Sequence, residues 1–177
     1  MSGQAIAPVT GANKGIGYEI AAGPGALGWR IGVGAWDQQC RDTAVARLRE
    51  AGVDAFGVPL DVADDASVAA AAELVADRAG GLDVLVNNAA ITGGVPQTPT
   101  TVDAATVRAV VETNVIGVIR VTNAMLPVLR RWTSPRIVNM SRSVGSLVLQ
   151  TTPGIDMGPV PTAYLASETF LNAVTVQ

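Results

Sequence analysis

Short apolar runs alternate along this chain with stretches of helical spacing. Five runs have the length and composition of buried strands: Ala5–Val9, Arg30–Ala35, Ala55–Leu60, Val84–Val86 and Arg136–Met140. Strands separated by helices are typical of βαβ units, which build a parallel sheet. The pattern therefore predicts an α/β fold, with three layers around a doubly wound parallel sheet.

Apolar residues of helical spacing fill the segments between these strands. They recur every three or four positions in residues 44–51 and again in 68–79, where Asp64 and Asp65 are candidate caps. Pro24 falls in the first predicted helix, between two glycines, and is expected to interrupt it at a cost of about 3 kcal/mol or more. Pro8 falls in the first strand and removes a hydrogen-bond donor from a position that should be central in the sheet.

Two further helices are predicted in the second half of the chain. A long pattern runs from about Asp103 to Leu126 and is expected to stop at Pro127. A final helix begins near Thr162 and is in progress at Gln177, with no strand after it. We therefore expect one edge of the sheet to lack its last strands and to expose apolar surface.

Composition and charge narrow the classes of function. The 177 residues include 12 basic and 15 acidic side chains, for a net charge of −3, and the charges are scattered. We therefore expect no binding to nucleic acid or to an anionic membrane. The longest uncharged stretch, Val84 to Val102, contains two asparagines, two prolines and a glycine pair, so no bilayer-spanning helix is expected there. No N-terminal segment directs export, and a single cytoplasmic domain is expected.

Missing residue types exclude several kinds of catalytic site. The sequence has no histidine, which excludes Ser-His-Asp triads and nearly all catalytic zinc sites. Cys40 is the only cysteine, so an intramolecular disulfide and a cysteine-rich metal site are excluded as well. Lys14 is the only lysine, and a mechanism that needs a second one is impossible. No metal site is predicted.

A glycine-rich loop follows the first strand and opens the first helix. Glycines let a backbone turn sharply and approach a pyrophosphate, whose charge the amides at a helix N-terminus hold. The spacing Gly-x-x-x-Gly-x-Gly differs from the commoner Gly-x-Gly-x-x-Gly, and on this loop alone an ordinary turn is the alternative. The predicted dinucleotide contacts are Gly11, Asn13, Lys14, Gly15, Ile16 and Gly17.

The loop resembles the Thr-Gly-x-x-x-Gly-x-Gly signature of the short-chain dehydrogenase/reductase family. Five later segments resemble family segments in the same order: Leu60-Asp61-Val62, Asn87-Asn88-Ala89-Ala90, Thr113-Asn114-Val115, Arg136-Ile137-Val138-Asn139-Met140-Ser141 and Thr162-Ala163-Tyr164. The resemblance covers essentially the whole chain. It implies one NAD(P)-binding Rossmann-like domain, incomplete at its C-terminus, that forms a homo-oligomer such as a homodimer. It also implies an oxidoreductase acting on a small-molecule carbonyl or alcohol.

The resemblance also implies roles for individual residues. Tyr164 would donate a proton to the developing alkoxide, and Asn114 would support a proton-relay water. A serine after the fifth strand would hydrogen-bond the substrate oxygen, and Ser143 is the candidate here. Asp61 and Val62 would contact adenine, and Asn88 completes the predicted coenzyme contacts.

The end of the second strand bears on the choice between NADP and NAD. An acidic residue there would bind the 2′-hydroxyl of NAD, whereas this chain has Ala35, which leaves room for a 2′-phosphate. Lys14 can pair with that phosphate, so NADP is favoured over NAD. Trp36 stands where related NADP enzymes often carry arginine. It can stack on adenine but cannot pair with a charge, and a partly buried surface tryptophan is the alternative.

Several positions depart from the family pattern at the expected catalytic centre. Arg142 takes the serine position, between Ser141 and Ser143, and Glu168 takes the position of a lysine four residues after the tyrosine. At about 6 Å and an effective dielectric of about 20, one charge is worth roughly 3 kcal/mol, or about two pKa units. Exchanging a cation for an anion would therefore raise the tyrosine pKa by up to twice that.

Three functional hypotheses follow from these departures. The first is an NADP(H)-dependent reductase or dehydrogenase whose activity Arg142 and Glu168 impair. The others are a non-catalytic dinucleotide-binding or dimerisation module and an inactive fragment. Arg142 and Glu168 could pair with each other, or Arg142 could donate to a substrate carbonyl; two solvated charges are the alternative. Ala90, in place of the family glycine, is expected to crowd the coenzyme ribose.

Overall fold

This computed structural model describes residues 4–79, 81–94 and 96–176. Their strands are β1 (Ile6–Thr10), β2 (Arg30–Ala35), β3 (Ala55–Pro59), β4 (Val84–Asn87) and β5 (Arg136–Asn139). Their α-helices are α1 (Gly15–Ala26), α2 (Gln38–Glu50), α3 (Asp65–Ala79), α4 (Ala104–Val111), α5 (Gly117–Leu129), α6 (Leu147–Thr151) and α7 (Thr162–Thr175). A π-helical turn, Glu112–Ile116, lies between α4 and α5, and a 3₁₀ turn, Ser143–Gly145, precedes α6.

The chain folds into two compact units. Unit 1 takes in residues 1–89 and 119–138, and unit 2 takes in residues 90–118 and 139–177, each as far as the structure describes them. The sheet and the glycine loop belong to unit 1, except for the last residue of β5. The π-helical turn, the 3₁₀ turn and α7 belong to unit 2.

The strands form one sheet in the order β3-β2-β1-β4-β5. β1 pairs in parallel with β2 over five positions, from Ile6 with Arg30 to Thr10 with Gly34, and β2 pairs in parallel with β3. Each strand lies within one residue of its predicted ends. The predicted α/β fold with a parallel, doubly wound sheet is thus confirmed.

Alternation along β3 explains how the core of unit 1 forms. Phe56 and Val58, two residues apart, point to the same face of the sheet and are 2% and 1% exposed. They pack in one cluster with residues from α3 and α5: Val68, Ala71, Val75, Val121, Met125, Val128 and Leu129. Gly57, between them, faces α2 instead and lies against the side chain of Arg41.

The prediction that Pro24 interrupts the first helix is wrong. α1 continues to Ala26, with Pro24 inside its last turn. The proline removes one helical hydrogen bond, the one that its own amide would donate. Its own carbonyl accepts hydrogen bonds from the amides of Leu27 and Trp29, which close the helix end.

The prediction that the long helix stops at Pro127 is also wrong. α5 includes Pro127 and continues to Leu129. Val128 and Leu129 are almost fully buried in the core of unit 1, and their packing offsets the lost hydrogen bond. The regular helix is interrupted earlier, at the π-helical turn.

Pro8 lies in β1, at the centre of the sheet as expected. The β1 residues alternate between bonding β2 and facing β4, and the Ile6 amide bonds the carboxylate of Asp83 on the β4 side. The missing Pro8 donor therefore falls on the β4 side, where pairing is recorded only at Val9 with Val86. The five-position ladder with β2 is left intact.

The helical run Ala104–Leu129 is the one helix among the described residues that is long and apolar enough to cross a membrane, by length and composition only. Core helices of soluble proteins pass the same test. Its residues Val115 and Val118 pack with Leu171 in the core of unit 2, and residues from Val121 onwards pack in the core of unit 1.

β5 is an edge strand within the described part of the sheet. Ile137 and Val138 are 42% and 39% exposed, in contrast to the buried residues of β1 and β2. The sheet therefore has the open, apolar edge that the sequence predicts. The last helix, α7, ends at Thr175, and Gln177 lies outside the described residues.

Candidate functional site

The glycine loop of unit 1 presents backbone groups at the N-terminus of α1. Gly11 and Gly15 have φ angles of +65° and +55°, which favour glycine because a Cβ would be strained there. Lys14 is the N-cap residue in an extended conformation, and its side chain makes no capping hydrogen bond. The first amides of α1 are therefore not capped by the residue that precedes them.

Asn88 braces this loop. Its side-chain amide donates hydrogen bonds to the carbonyls of Thr10 and Gly11, at 3.0 and 3.3 Å, and its backbone amide donates to the Thr10 hydroxyl at 2.9 Å. Gly17 is buried, and a Cβ there would collide with the Asn88 amide and with the Gly11 carbonyl. The structure thus gives Asn88, predicted as a coenzyme contact, a clear role in holding the loop.

The segment after β2 combines charges of both signs. Asp37 caps α2 by accepting a hydrogen bond from the Cys40 amide at 2.6 Å, and this bond lowers the pKa of the Asp37 carboxyl. Cys40 is exposed, and a hydrogen bond to Asp37 raises the pKa of its thiol, while the charge of Lys14 acts in the opposite direction. The charge of Lys14 therefore acts on the first turn of α2. Trp36 is 76% exposed.

The predicted adenine contacts follow β3. Asp61 is exposed, and its carboxylate accepts a hydrogen bond from the Ala63 amide at 2.9 Å, which fixes the turn into α3. Val62 is 8% exposed, and its carbonyl accepts a hydrogen bond from the Arg120 guanidinium at 2.7 Å. Hydrogen bonds within unit 1 thus hold both residues in place.

The loop fits the diphosphate of a dinucleotide. Glycines with positive φ, a side chain forbidden at Gly17 and uncapped first-turn amides are the features with which a helix N-terminus holds phosphate. Gly11, Gly15 and Ile16 provide backbone, and Asn13 and Lys14 provide side chains beside it. No group of three or more metal-ligating side chains occurs in the described residues.

Tyr164 and Glu168 lie one turn apart on α7 in unit 2. Both are buried, at 9% and 2% exposure, and the Glu168 carboxylate acts on the phenol to raise its pKa. That carboxylate also accepts a hydrogen bond from the backbone amide of Arg142 at 3.0 Å. The backbone of Arg142, and not its guanidinium, is therefore the bonded partner of Glu168. The predicted side-chain pair is not among the ion pairs of the described residues.

Burial raises the pKa of the Tyr164 phenol to about 12. The hydrogen bond to Glu168 and its negative charge act in the same direction, whereas the nearby Arg142 guanidinium lowers the pKa. The sequence predicts a raised pKa from the charge of Glu168, and the structure adds burial as the larger cause. Near neutral pH the phenol of Tyr164 is protonated.

Asn114 lies inside the π-helical turn and is 2% exposed. Its carbonyl oxygen accepts from the Ile91 amide at 2.8 Å, and its NH₂ group donates to the Ile91 carbonyl and to the Ser167 hydroxyl, at 2.9 and 3.0 Å. Ser167 in turn donates to the Tyr164 carbonyl at 2.8 Å. The structure therefore brings Asn114 into one bonded chain with the tyrosine helix.

Ser143 is exposed and begins the 3₁₀ turn, directly after Arg142. Gly145, two residues later, packs so closely on α7 that a Cβ would lie 2.9 Å from the Glu168 carbonyl and 2.6 Å from the Asn172 amide. This packing fixes the segment that carries Ser141, Arg142 and Ser143 against α7. Ala90, predicted to crowd a ribose, is exposed.

Two residues of unit 2 that the sequence argument missed also position α7. Ser167 is fully buried and connects Asn114 to Tyr164. Gln97 accepts a hydrogen bond from the Ala163 amide at 3.1 Å, at the start of the helix. A serine three residues after the tyrosine is a signal that could have been noticed, whereas Gln97 is distant in sequence and has none.

The family model for short chain dehydrogenases matches residues 5–172. The chain belongs to this family. It is 34% identical over 169 residues to short-chain dehydrogenase/reductase 1 of Saponaria officinalis, a match that covers 84% of this chain and 55% of that protein. The chain thus spans about half the length of the curated relatives it matches.

Solved structures of the short-chain dehydrogenase family superpose closely on this chain. An actinorhodin polyketide ketoreductase variant with NADPH is 36% identical with a TM-score of 0.84, covering 97% of this chain and 62% of that one. A family member from Burkholderia phymatum in complex with NAD is 26% identical with a TM-score of 0.84, covering 98% and 58%. These two solved structures thus hold different coenzymes, NADPH in one and NAD in the other.

Proposed function

We propose that this chain binds NADP(H) through the Gly11–Gly17 loop. We further propose that it is an oxidoreductase of the short-chain type for a small-molecule carbonyl or alcohol, with turnover impaired by Arg142 and Glu168. The bound coenzyme supplies the hydride chemistry. The chain itself binds the coenzyme and donates a proton from the Tyr164 hydroxyl.

One observation supports coenzyme binding above the others, and it is the backbone of the loop. Gly11 and Gly15 adopt left-handed conformations, and Gly17 is packed against Asn88 where no side chain fits. A turn of this shape costs conformational entropy and leaves helix amides uncapped, so it is favoured where an anion uses those amides.

The preference for NADP over NAD rests on Ala35 and Lys14. Ala35 leaves space where an acidic side chain would bind a 2′-hydroxyl, and the charge of Lys14 acts on Cys40, in the first turn of α2. Asp37 acts against this preference, because its carboxylate caps the same turn. The proposal is therefore a preference and not exclusive use of NADP.

The proposed impairment rests on the two charges beside Tyr164. In reduction the phenol acts as the acid, which its protonated state at neutral pH permits. In alcohol oxidation the phenolate is the base, and a pKa of about 12 leaves only about one molecule in 100,000 in that form at pH 7. Arg142 occupies the position of the family serine, which removes a neutral hydroxyl partner for the substrate oxygen.

The alternative function is a non-catalytic dinucleotide-binding or dimerisation module. It is favoured by the burial of Tyr164, the only tyrosine of unit 2, together with the buried acidic residue Glu168, which raises the pKa of the phenol. The loop of unit 1 would be retained for binding in either case.

Two measurements separate these functions. Titration of the chain with NADPH, followed by coenzyme fluorescence, tests binding, and a folded chain that fails to bind rules out both the oxidoreductase and a dinucleotide-binding module. Steady-state NADPH oxidation with a panel of ketones and quinones then tests turnover. Slow but measurable turnover that Tyr164→Phe abolishes supports the oxidoreductase. Binding with no turnover by any substrate supports the module.

A further inference from the structure

A cleft of about 350 Å³ lies along the outer edge of β3 in unit 1. Three arginines line it, Arg41 and Arg49 from α2 and Arg78 from α3, and Asp42 is its only acidic lining residue. None of the predicted coenzyme contacts lines this cleft. The three cations and one anion leave two net positive charges there, in a chain whose net charge is −3.

Arg41 is a buried cation whose charge is only partly balanced by the groups around it. Its side chain is 9% exposed, and it lies over Gly57, where a Cβ would be 3.2 Å from the Arg41 Nε. One nitrogen donates a hydrogen bond to the Ala35 carbonyl at 3.1 Å. The carboxylate of Asp42 is 3.6 Å from Nε, beyond hydrogen-bond distance, and is 60% exposed. A guanidinium so far from water is stabilised by further anionic or polar partners, and the cleft is where they can enter.

Arg49 and Arg78 add two cations whose charges are not matched. The Nε of Arg49 donates to the Ala55 carbonyl at 2.8 Å, and the Arg78 guanidinium lies 5.9 Å from the centre of the Phe56 ring. Neither has a carboxylate within 4 Å among the described residues. Their remaining N–H groups are free to bind an anion in the cleft.

The edge of β3 is closed to another strand. The Ala55 carbonyl is already bonded by Arg49, and Pro59 has no amide hydrogen. Charged side chains and proline are features that prevent edge-to-edge pairing. The cleft therefore favours a small anion over an extended peptide.

We propose that this cleft binds a small phosphomonoester, separately from the coenzyme. A phosphomonoester carries a charge of about −1.5 to −2 at pH 7, close to the two net positive charges of the lining. Its oxygens match the donor fork of a guanidinium, and three arginines line the cleft. A volume of about 350 Å³ accommodates the organic part as well as the phosphoryl group.

The test is a titration of the full chain with phenyl phosphate, followed by calorimetry and by the arginine Nε–H signals in ¹H–¹⁵N spectra. We expect saturable binding that shifts the Arg41 signal. Changing both Arg49→Gln and Arg78→Gln should weaken it at least about tenfold, because two charge-assisted contacts are lost. The matched control changes Arg130→Gln and Arg131→Gln, which removes two exposed charges outside the cleft and should leave binding unchanged.

Three results would overturn the proposal. The first is absence of saturable binding by the folded chain, and the second is equal affinity in the cleft variant and the wild type. The third is a loss of NADPH affinity in the cleft variant, which would make these arginines part of the coenzyme site.

Arg78→Gln alone replaces the double variant if the double change unfolds the chain, since Arg49 also bonds β3. Benzoate, with one negative charge on the same ring, should bind more weakly, and equal binding would contradict the phosphate class.

Discussion

The glycine loop of unit 1 and the tyrosine cluster of unit 2 differ in how far they keep the family pattern. The loop keeps its glycines, and their backbone angles and close contacts show why no other residue fits at Gly11 or Gly17. The cluster keeps Tyr164 and Asn114 but places Arg142 and Glu168 beside them. The loop thus shows a steric requirement for glycine, whereas the cluster places two opposite charges around a buried phenol.

This difference means that binding and chemistry can be tested separately in one chain. Glu168 is buried and its carboxylate accepts a hydrogen bond from the Arg142 amide, so it is part of the packing around α7. Changes at the loop should act on coenzyme affinity, and changes at the cluster should act on turnover. Four experiments would break or sharpen that distinction.

The largest effect is expected from restoring the family residues at the cluster. Arg142→Ser together with Glu168→Lys should raise NADPH-dependent ketone reduction on the order of a thousandfold, within the range that general acid catalysis contributes. The reason is that a hydroxyl becomes available to the substrate oxygen and a cation replaces the anion beside the phenol. Steady-state oxidation of NADPH measures the effect.

The same double variant carries its own control. Adding Tyr164→Phe should remove the gain, since the phenol is the proposed proton donor. NADPH affinity should stay the same, because both changes lie in unit 2. If turnover stays flat or falls, the altered charges are not what limits this chain.

The second largest effect is expected at the loop. Gly17→Ala should weaken NADPH binding by about fiftyfold, because the new methyl group collides with Asn88 and with the Gly11 carbonyl and displaces the amides that hold phosphate. Gly23→Ala, in the same helix, is the matched control, since nothing lies within 4 Å of its added Cβ. It should bind NADPH normally, because this position lies away from the loop. Comparable binding by both variants would contradict the role of the loop.

The strands could be predicted from the sequence because each is a short apolar run bounded by polar or glycine-rich segments. All lie within one residue of their predicted ends. Local propensity wrongly predicts helix ends at Pro24 and Pro127 because it takes no account of tertiary packing. Pro127 is tolerated where Val128 and Leu129 bury their side chains, and Pro24 is tolerated in a last turn that its carbonyl helps to close.

The site was only partly predictable, for a different reason. Motif spacing identified Tyr164 and Glu168 as neighbours on one helix face, since four residues make one turn. Spacing could not show that the amide of Arg142, not its guanidinium, bonds Glu168, because that contact joins segments 26 residues apart. The connection of Asn114 to Tyr164 through Ser167 likewise depends on how the π-helical turn packs on α7.

A smaller effect is expected on the ionisation of Tyr164. Absorbance titration should show its phenolate forming with a pKa of about 12, so that alcohol oxidation, which needs this base, rises with pH without a plateau below pH 11. Glu168→Gln removes the anion and should lower the pKa by about one unit, because burial, the larger cause, is left in place. The chain has two tyrosines, so the difference from Tyr164→Phe assigns the signal. An unchanged pKa in Glu168→Gln would leave burial as its only cause.

The smallest effect is expected from Trp36, which stands exposed at the end of β2. Trp36→Arg should strengthen NADPH binding by about five- to tenfold, because a guanidinium can pair with a 2′-phosphate while still stacking on adenine. NADH lacks that phosphate and is the control, so its affinity should change little. The carboxylate of Asp37, the next residue, bonds the Cys40 amide and competes for the new cation, which keeps the gain modest. Equal gains for both coenzymes would mean that stacking alone, and not the phosphate, determines binding at this end of the site.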